Sequence, residues 1–226
     1  LLIFLFNLSL SPTTQAQKLQ APVQVIDPSY LSVSDGLVSP TVNAVMQDSY
    51  GLMWIGTTNG LQKYDGYKFQ TFKNIPGNTT SLQNNNIWSL LEDANHDIWV
   101  SNSKGVSKYI RQKNEFKNYE FASIFNFTAN SEVAGFKFLK DSQNRLWANT
   151  LAAQLVKYDS FNDEWKRAKY DIPNVADVDH LGPSLAIGED LQGTLWLGSN
   201  AYGLMRMAKN ENAFKPVPKE LLGGRD

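Results

Sequence analysis

Four carboxylates recur at one position of a repeated phrase in this sequence, and they are the residues best placed to do chemistry. Asp48, Asp93, Asp141 and Asp190 each stand six residues before a tryptophan (Trp54, Trp99, Trp147 and Trp196), and the tryptophans follow one another at intervals of 45, 48 and 49 residues. Equivalent carboxylates on a repeat would make four calcium ligands. A calcium loop, however, gathers several oxygen ligands at the close spacing D-x-[DN]-x-[DN]-G. Only Asp93-Ala94-Asn95-His96-Asp97 comes near that pattern. The spacing favours a structural role, an Asp side chain that accepts backbone amides inside a hairpin turn.

Other chemistry is weaker still. The Asp segments resemble the Asp-box of sialidases, a structural turn of a propeller, but glycoside hydrolysis needs two carboxylates across one bond or a Tyr nucleophile with its base. A sialidase also gathers arginines around its substrate, whereas Arg111, Arg145, Arg167, Arg206 and Arg225 are scattered. His96, in a hairpin turn, and His180, in a polar loop, have no partners at metal-ligand spacing and are expected to be solvent-exposed loop residues. There is no cysteine, and 21 basic residues balance 22 acidic ones without a like-charge block, which excludes thiolate chemistry and a nucleic-acid footprint. The sequence therefore assigns no catalytic, cofactor-binding or metal residue, and it leaves the ligand-binding residues unassigned.

The elements that must position these groups follow from the repeat. Each unit opens on an apolar run (Val42 to Met46, Ile87 to Leu91, Phe136 to Leu139, Leu185 to Ile187) and passes through the Asp turn into the Trp run. A second turn leads to a run ending at Tyr64, Tyr109, Tyr158 or Met207, and an aromatic closes the unit at Phe69, Phe116, Trp165 or Phe214. β-branched and aromatic runs separated by Gly, Asn and Ser predict four short strands per unit and no helix. A sheet this small cannot bury both faces alone and must stack on copies of itself. The expected fold is all-β: β-propeller blades of four antiparallel strands in a partial propeller of about four to five blades, with the recurrent Trp as the wedge between neighbours. Repeat cores fall near 42–73, 87–119, 136–168 and 185–217, preceded by a partial strand at Val23 to Val33. Trp165 occupies the aromatic slot and is assigned to the core; for Trp88, outside the Trp column, packing is favoured over sugar stacking. The connectors Asn74 to Asn86 and Asp171 to Pro183 are where a recognition surface would sit, and read equally well as solvated loops.

The first ten residues are apolar except for Asn7 and Ser9, and a polar stretch ending in Thr14-Gln15-Ala16-Gln17 follows. This is the pattern of a secretory signal cleaved after Ala16, and it is about half the roughly 20 apolar residues that a spanning helix needs. Residues 1–16 are read as a signal peptide truncated at its N-terminus, since neither Met nor a basic segment precedes Leu1. Residues 17–226 are read as a partial β-propeller domain, with the tail from Pro216 a turn or linker.

The phrases Gly51-Leu52-Met53-Trp54-Ile55-Gly56-Thr57-Thr58-Asn59-Gly60-Leu61 and Tyr64-Asp65-Gly66-Tyr67 resemble the two-component regulator propeller repeat. So do Asp35-Gly36-Leu37 and the stretch from Ser81-Leu82-Gln83 through Glu92-Asp93, while the third unit is looser, with Ala148-Asn149 in place of Ile-Gly. The resemblance implies the periplasmic sensor region of a hybrid two-component histidine kinase anchored in the inner membrane, with glycan fragments as ligands and no cofactor. Its implied partners are a small-molecule or oligosaccharide ligand, the remainder of the propeller and downstream signalling domains, with a homodimer left open and no nucleic acid. A diguanylate cyclase output and a secreted binding or scaffold propeller are the alternatives. A glycan hydrolase or lyase is disfavoured.

Overall fold

The computed structural model describes residues 30–121, 124, 136–150, 153–172 and 184–218. The leader, residues 23–29 of the expected partial strand, residues 173–183 with His180, and Arg225 lie outside the described residues. From Leu31 onward the chain forms one unit.

Four sheets follow one another along the chain. The first holds β1 (Val42–Gln47), β2 (Met53–Thr57), β3 (Gly60–Tyr64) and β4 (Phe69–Phe72); the second holds β5 (Ile87–Glu92), β6 (Ile98–Asn102), β7 (Gly105–Ile110) and β8 (Glu115–Glu120). The third holds β9 (Phe136–Lys140), β10 (Leu146–Thr150), β11 (Ala153–Asp159) and β12 (Glu164–Arg167), and the fourth β13 (Ser184–Glu189), β14 (Leu195–Ser199), β15 (Gly203–Met207) and β16 (Lys215–Pro216). Each is an antiparallel meander whose spatial order is its chain order. The all-β blade architecture expected from the repeat is the one observed.

One local expectation needs correction. The segment around Val33 is a 3-10 turn, Val33–Asp35, and not the end of a strand. The Ser32 N–H and hydroxyl both donate to the Asp35 carboxylate, at 2.9 and 2.7 Å, and Gly36 ends the turn at φ 109°. These short-range bonds satisfy the backbone that a strand would have left to a neighbour. Phe214 sits just before β16 and pairs with Tyr170 as a parallel bridge, tying the exit of the third blade to the outer edge of the fourth.

Burial rises from the first strand of each blade to the second and falls again at the outer strand. β1 is exposed or half-exposed along its length, whereas all of β6 and nearly all of β2 are buried. The first strands lie against one another, β1 on β5 and β5 on β9. At Gly56 this approach excludes a side chain, since a Cβ there would stand 2.6 Å from Ile87 Cγ2 of the next blade.

The core is built at the seams between blades. Trp54 shares a cluster with Ile87, Ile98, Val100, Tyr109 and Phe116 of the following unit and Leu82 of the connector, besides its own Leu61. Trp99 likewise joins Leu146, Ala148, Val156 and Trp165, and Trp147 joins Leu195, Leu197, Met205, Met207 and Phe214. Each indole is thus a wedge that points forward along the chain. Trp54, Trp99 and Trp147 are 0, 1 and 2% exposed. Trp196 is only half-buried, and no further sheet follows it among the described residues.

Candidate functional site

Each recurrent carboxylate is taken up by its own hairpin. Asp48 Oδ1 accepts the N–H groups of Tyr50 and Leu52 at 3.0 and 2.9 Å, while Oδ2 accepts the Trp54 indole N–H at 2.8 Å. The indole bond recurs at 2.9 Å for Asp93 and at 2.8 Å for Asp141 and Asp190. The third residue after each Asp has a left-handed backbone: Gly51 (φ 83°), His96 (63°), Asn144 (60°) and Gly193 (80°). Gly, Asn and His are the residue types that accept this conformation. With their lone pairs committed to the turn, these carboxylates do not converge. Among the described residues no group of three or more His, Cys, Asp or Glu is arranged to hold a metal.

His96 does more than the exposed loop residue expected of it. Its Nδ1 lies 2.8 Å from Ser49 Oγ and 3.2 Å from Glu92 Oε1, and its ring meets Tyr50 edge-on at 5.3 Å, so it joins the first two blades. Trp165 is core, as assigned, at 4% exposure. Trp88 stands where the β5–β6 register slips between Ile87 and Ser89, half-buried, with its indole N–H directed to Ser103 Oγ at 3.4 Å. The connector from Asn74 to Asn86 is pinned down: Asn74 donates to Leu82 O at 2.8 Å, and Asn118 to Ser81 O at 2.8 Å.

A second column of residues accompanies the indoles. Cross-strand register places Lys63 opposite Trp54, Lys108 opposite Trp99, Lys157 opposite Trp147 and Arg206 opposite Trp196. Three of these cations lie over their indole, at 5.9, 5.0 and 5.6 Å from the ring centre, where the ring quadrupole attracts positive charge. Their surroundings differ. Lys108 sits between Asp93 and Asp97, 3.1 Å from each; burial alone would lower its pKa, but the two carboxylates outweigh burial and raise it. Lys63 and Lys157 are held below the ordinary value, first by burial and then by a neighbouring arginine. The sequence carried the signal as a Lys or Arg nine or ten residues beyond each Trp.

The seams are also clasped by polar contacts, and unequally. At the first seam the N–H and hydroxyl of Ser49 donate to Glu92 at 2.8 and 2.7 Å, and Arg111 reaches back to Asp48 at 2.8 Å. At the third seam Ser142 donates to Glu189 in the same way, at 2.7 and 2.6 Å. At the middle seam Ala94 and Lys140 occupy the Ser and Glu positions, and Ser160 occupies that of Arg111. Installing Ser and Glu there (A94S/K140E) should recreate two charge-assisted bonds, stabilising the fold by about 1 kcal/mol and raising its melting temperature by about 2–4 °C. Calorimetry on the double variant checks this; an unchanged or lower midpoint would show that the clasp is not transferable.

The middle seam is tied at its outer edge instead. Asp163 accepts the hydroxyls of Tyr119 and Tyr158 at 2.6 and 2.5 Å and pairs with Lys117. Burial, followed by the bond to Asp163, pushes the Tyr158 phenol up to about 12. A folded-state pKa above the ordinary 10 means that this contribution to stability is intact below pH 10 and is lost as pH climbs to about 12. Asp163→Asn should bring phenolate absorbance in at lower pH; an unshifted titration would remove Asp163 as the cause.

At the hairpin end of the second, third and fourth blades the surface opens into a cleft of about 960 Å³. Trp99, Lys108, Lys140, Arg145, Lys157 and Lys169 are among its walls. It is a recess rich in charged side chains, suited to binding a polar molecule. It lies at the opposite end of the sheets from the connector Asn74 to Asn86, which the sequence left open between a recognition surface and a solvated loop.

Residues 36–59 and 81–104, each running through a first strand, an Asp turn and a Trp strand, match the family described as two component regulator propeller. These two segments are similar to two component regulator propeller repeats. A stretch of 48 residues, 21% of the chain, is 42% identical to histidine kinase P4 of Formosa agariphila and corresponds to 4% of that protein. The fold of the four blades is similar to the extracellular domain of the hybrid two component system BT3049 from B. thetaiotaomicron: 20% identity, TM-score 0.64, covering 84% of this chain and 26% of that one. It is also similar to virginiamycin B lyase from Staphylococcus aureus, at 14% identity and TM-score 0.51, covering 78% of this chain and 55% of the lyase. The chain thus spans a small part of the kinase and about a quarter of the extracellular domain.

Proposed function

We propose that this chain is the ligand-sensing propeller of a membrane-bound signalling receptor of the hybrid histidine kinase type, exported to the periplasm, with oligosaccharide fragments as its ligands. The observation that carries the reading is the pair of consecutive regulator propeller repeats in the first two blades. The kinase relative and the leader-like run at Leu1 to Leu10 agree with it. In this reading the propeller does no chemistry of its own. The four conspicuous carboxylates are spent on their hairpins, and the cleft supplies a binding surface. The test is the coding sequence beyond residue 226, together with fractionation of the intact protein. A reading frame that meets a spanning helix and a kinase, with the protein in the membrane fraction, is expected. A stop codon within a few blades, or a cytoplasmic product, would defeat the reading.

A further inference from the structure

We propose that the hairpin end of the seam between the third and fourth blades binds an anionic group of the ligand, a carboxylate or a sulfate ester, between Arg145, Lys157 and Lys169 above Trp147. This deepens the ligand-sensing reading and rests on it for the ligand being an oligosaccharide; the charge comes from the seam itself.

The three cations meet in the cleft on the face that the third blade turns to the fourth. The Arg145 guanidinium lies 5.5 Å from the centre of the Trp147 ring and the Lys157 ammonium 5.6 Å from it. Arg145 Nε donates to Asp141 Oδ2 at 2.5 Å, but its Nη2 is buried and has no acceptor among the described residues. Neither Lys157 nor Lys169 forms an ion pair among the described residues. The nearby acids are spoken for. Asp141 is filled by its turn, its indole and Arg145, and Glu211 accepts from Ala208 N–H and Lys215 at 2.9 and 3.0 Å. Lys157 feels the crowding: burial lowers its pKa first, and the charges of Arg145 and Lys169 add to that against the pull of Asp141 and Asp159.

The preceding blade shows what a neutral version looks like. Asp97 and Arg145 occupy the same place, four residues after the turn Asp, and each gives its backbone N–H to that Asp. Asp97 neutralises the column cation Lys108. In the third blade the acid has become an arginine, so a lysine–carboxylate pair is replaced by two like charges and an unfilled donor. Several charge-assisted donors converging on one spot are what a carboxylate or sulfate needs.

The test is calorimetric titration of the intact protein with two matched pairs of tetrasaccharides: tetragalacturonate against its methyl ester, and a sulfated against an unsulfated galactan. At least one acidic member should bind tenfold or more tightly than its neutral partner, with the advantage shrinking as salt is raised. R145D, which rebuilds the arrangement of Asp97 and Lys108, should remove that advantage. K169Q changes an exposed side chain and should weaken the acidic member several-fold while leaving the neutral one unchanged; it decides the matter if R145D does not fold. Equal binding within both pairs, or acidic binding that survives both variants, would overturn the anion site and leave oligosaccharide sensing standing. Failure of all four probes to bind would overturn both.

Discussion

Trp99→Ala should destabilise this chain by about 3–5 kcal/mol, the range for removing a large aromatic from a packed core, while Trp196→Ala should cost only roughly 1–2 kcal/mol. The two residues are equivalent in sequence and share the same bond to an Asp, at 2.9 and 2.8 Å. They differ in what lies ahead. Trp99 is enclosed by the third blade and packs at 5.5 Å against Trp165 and at 4.7 Å against Tyr158, whereas Trp196 is half-buried. Urea unfolding of both variants separates the effect of the forward-pointing wedge from that of the hairpin bond. Equal losses would mean that the indole stabilises its own blade only, and the account of the seams would fall.

Asp48→Ala is the second large effect expected, about 3–5 kcal/mol by analogy with breaking a buried charged pair. The side chain is fully buried, and removing it strands two turn amides, the Trp54 indole N–H and the Arg111 guanidinium at once. Asp48→Asn keeps an acceptor for the turn and should lose less. The pH dependence distinguishes charge from shape. Burial pushes the Asp48 carboxyl up, but hydrogen bonds from Trp54, Arg111 and Leu52 outweigh it and hold the pKa below the ordinary 3.8. A depressed folded-state value means that the stabilisation is present above pH 3.8 and drains away as pH falls through the lower, folded value. The gap between wild type and Asp48→Asn should therefore narrow below about pH 4; a gap that stays constant would assign the effect to hydrogen-bond geometry alone.

The blades were legible because their signals are local in the chain. The Asp and Trp of one hairpin stand six residues apart, and the closing aromatics follow at near-fixed distances. The role of the carboxylates as turn acceptors could be read for the same reason. What escaped is relational. The column of Lys63, Lys108, Lys157 and Arg206 acquires meaning only once β-register sets each cation opposite its indole. Ser49 and Glu92 lie 43 residues apart, so their clasp emerges only when each turn is compared with the following one. His96 is the exposed loop residue expected, and it also fills the left-handed position that Gly51, Asn144 and Gly193 hold in the other units. Val33–Asp35 misled because an apolar residue beside a capping box looks like a strand until the cap is counted.

Of the three joints between these four slabs, two are buckled by a serine hydroxyl on a glutamate and one is not. The unbuckled joint depends on greasy contact and on a rim of tyrosines gripping Asp163. The assembly therefore has a preferred parting line. When strained, blades one and two should leave as a pair and blades three and four as another, with Ala94 and Lys140 facing across the opening.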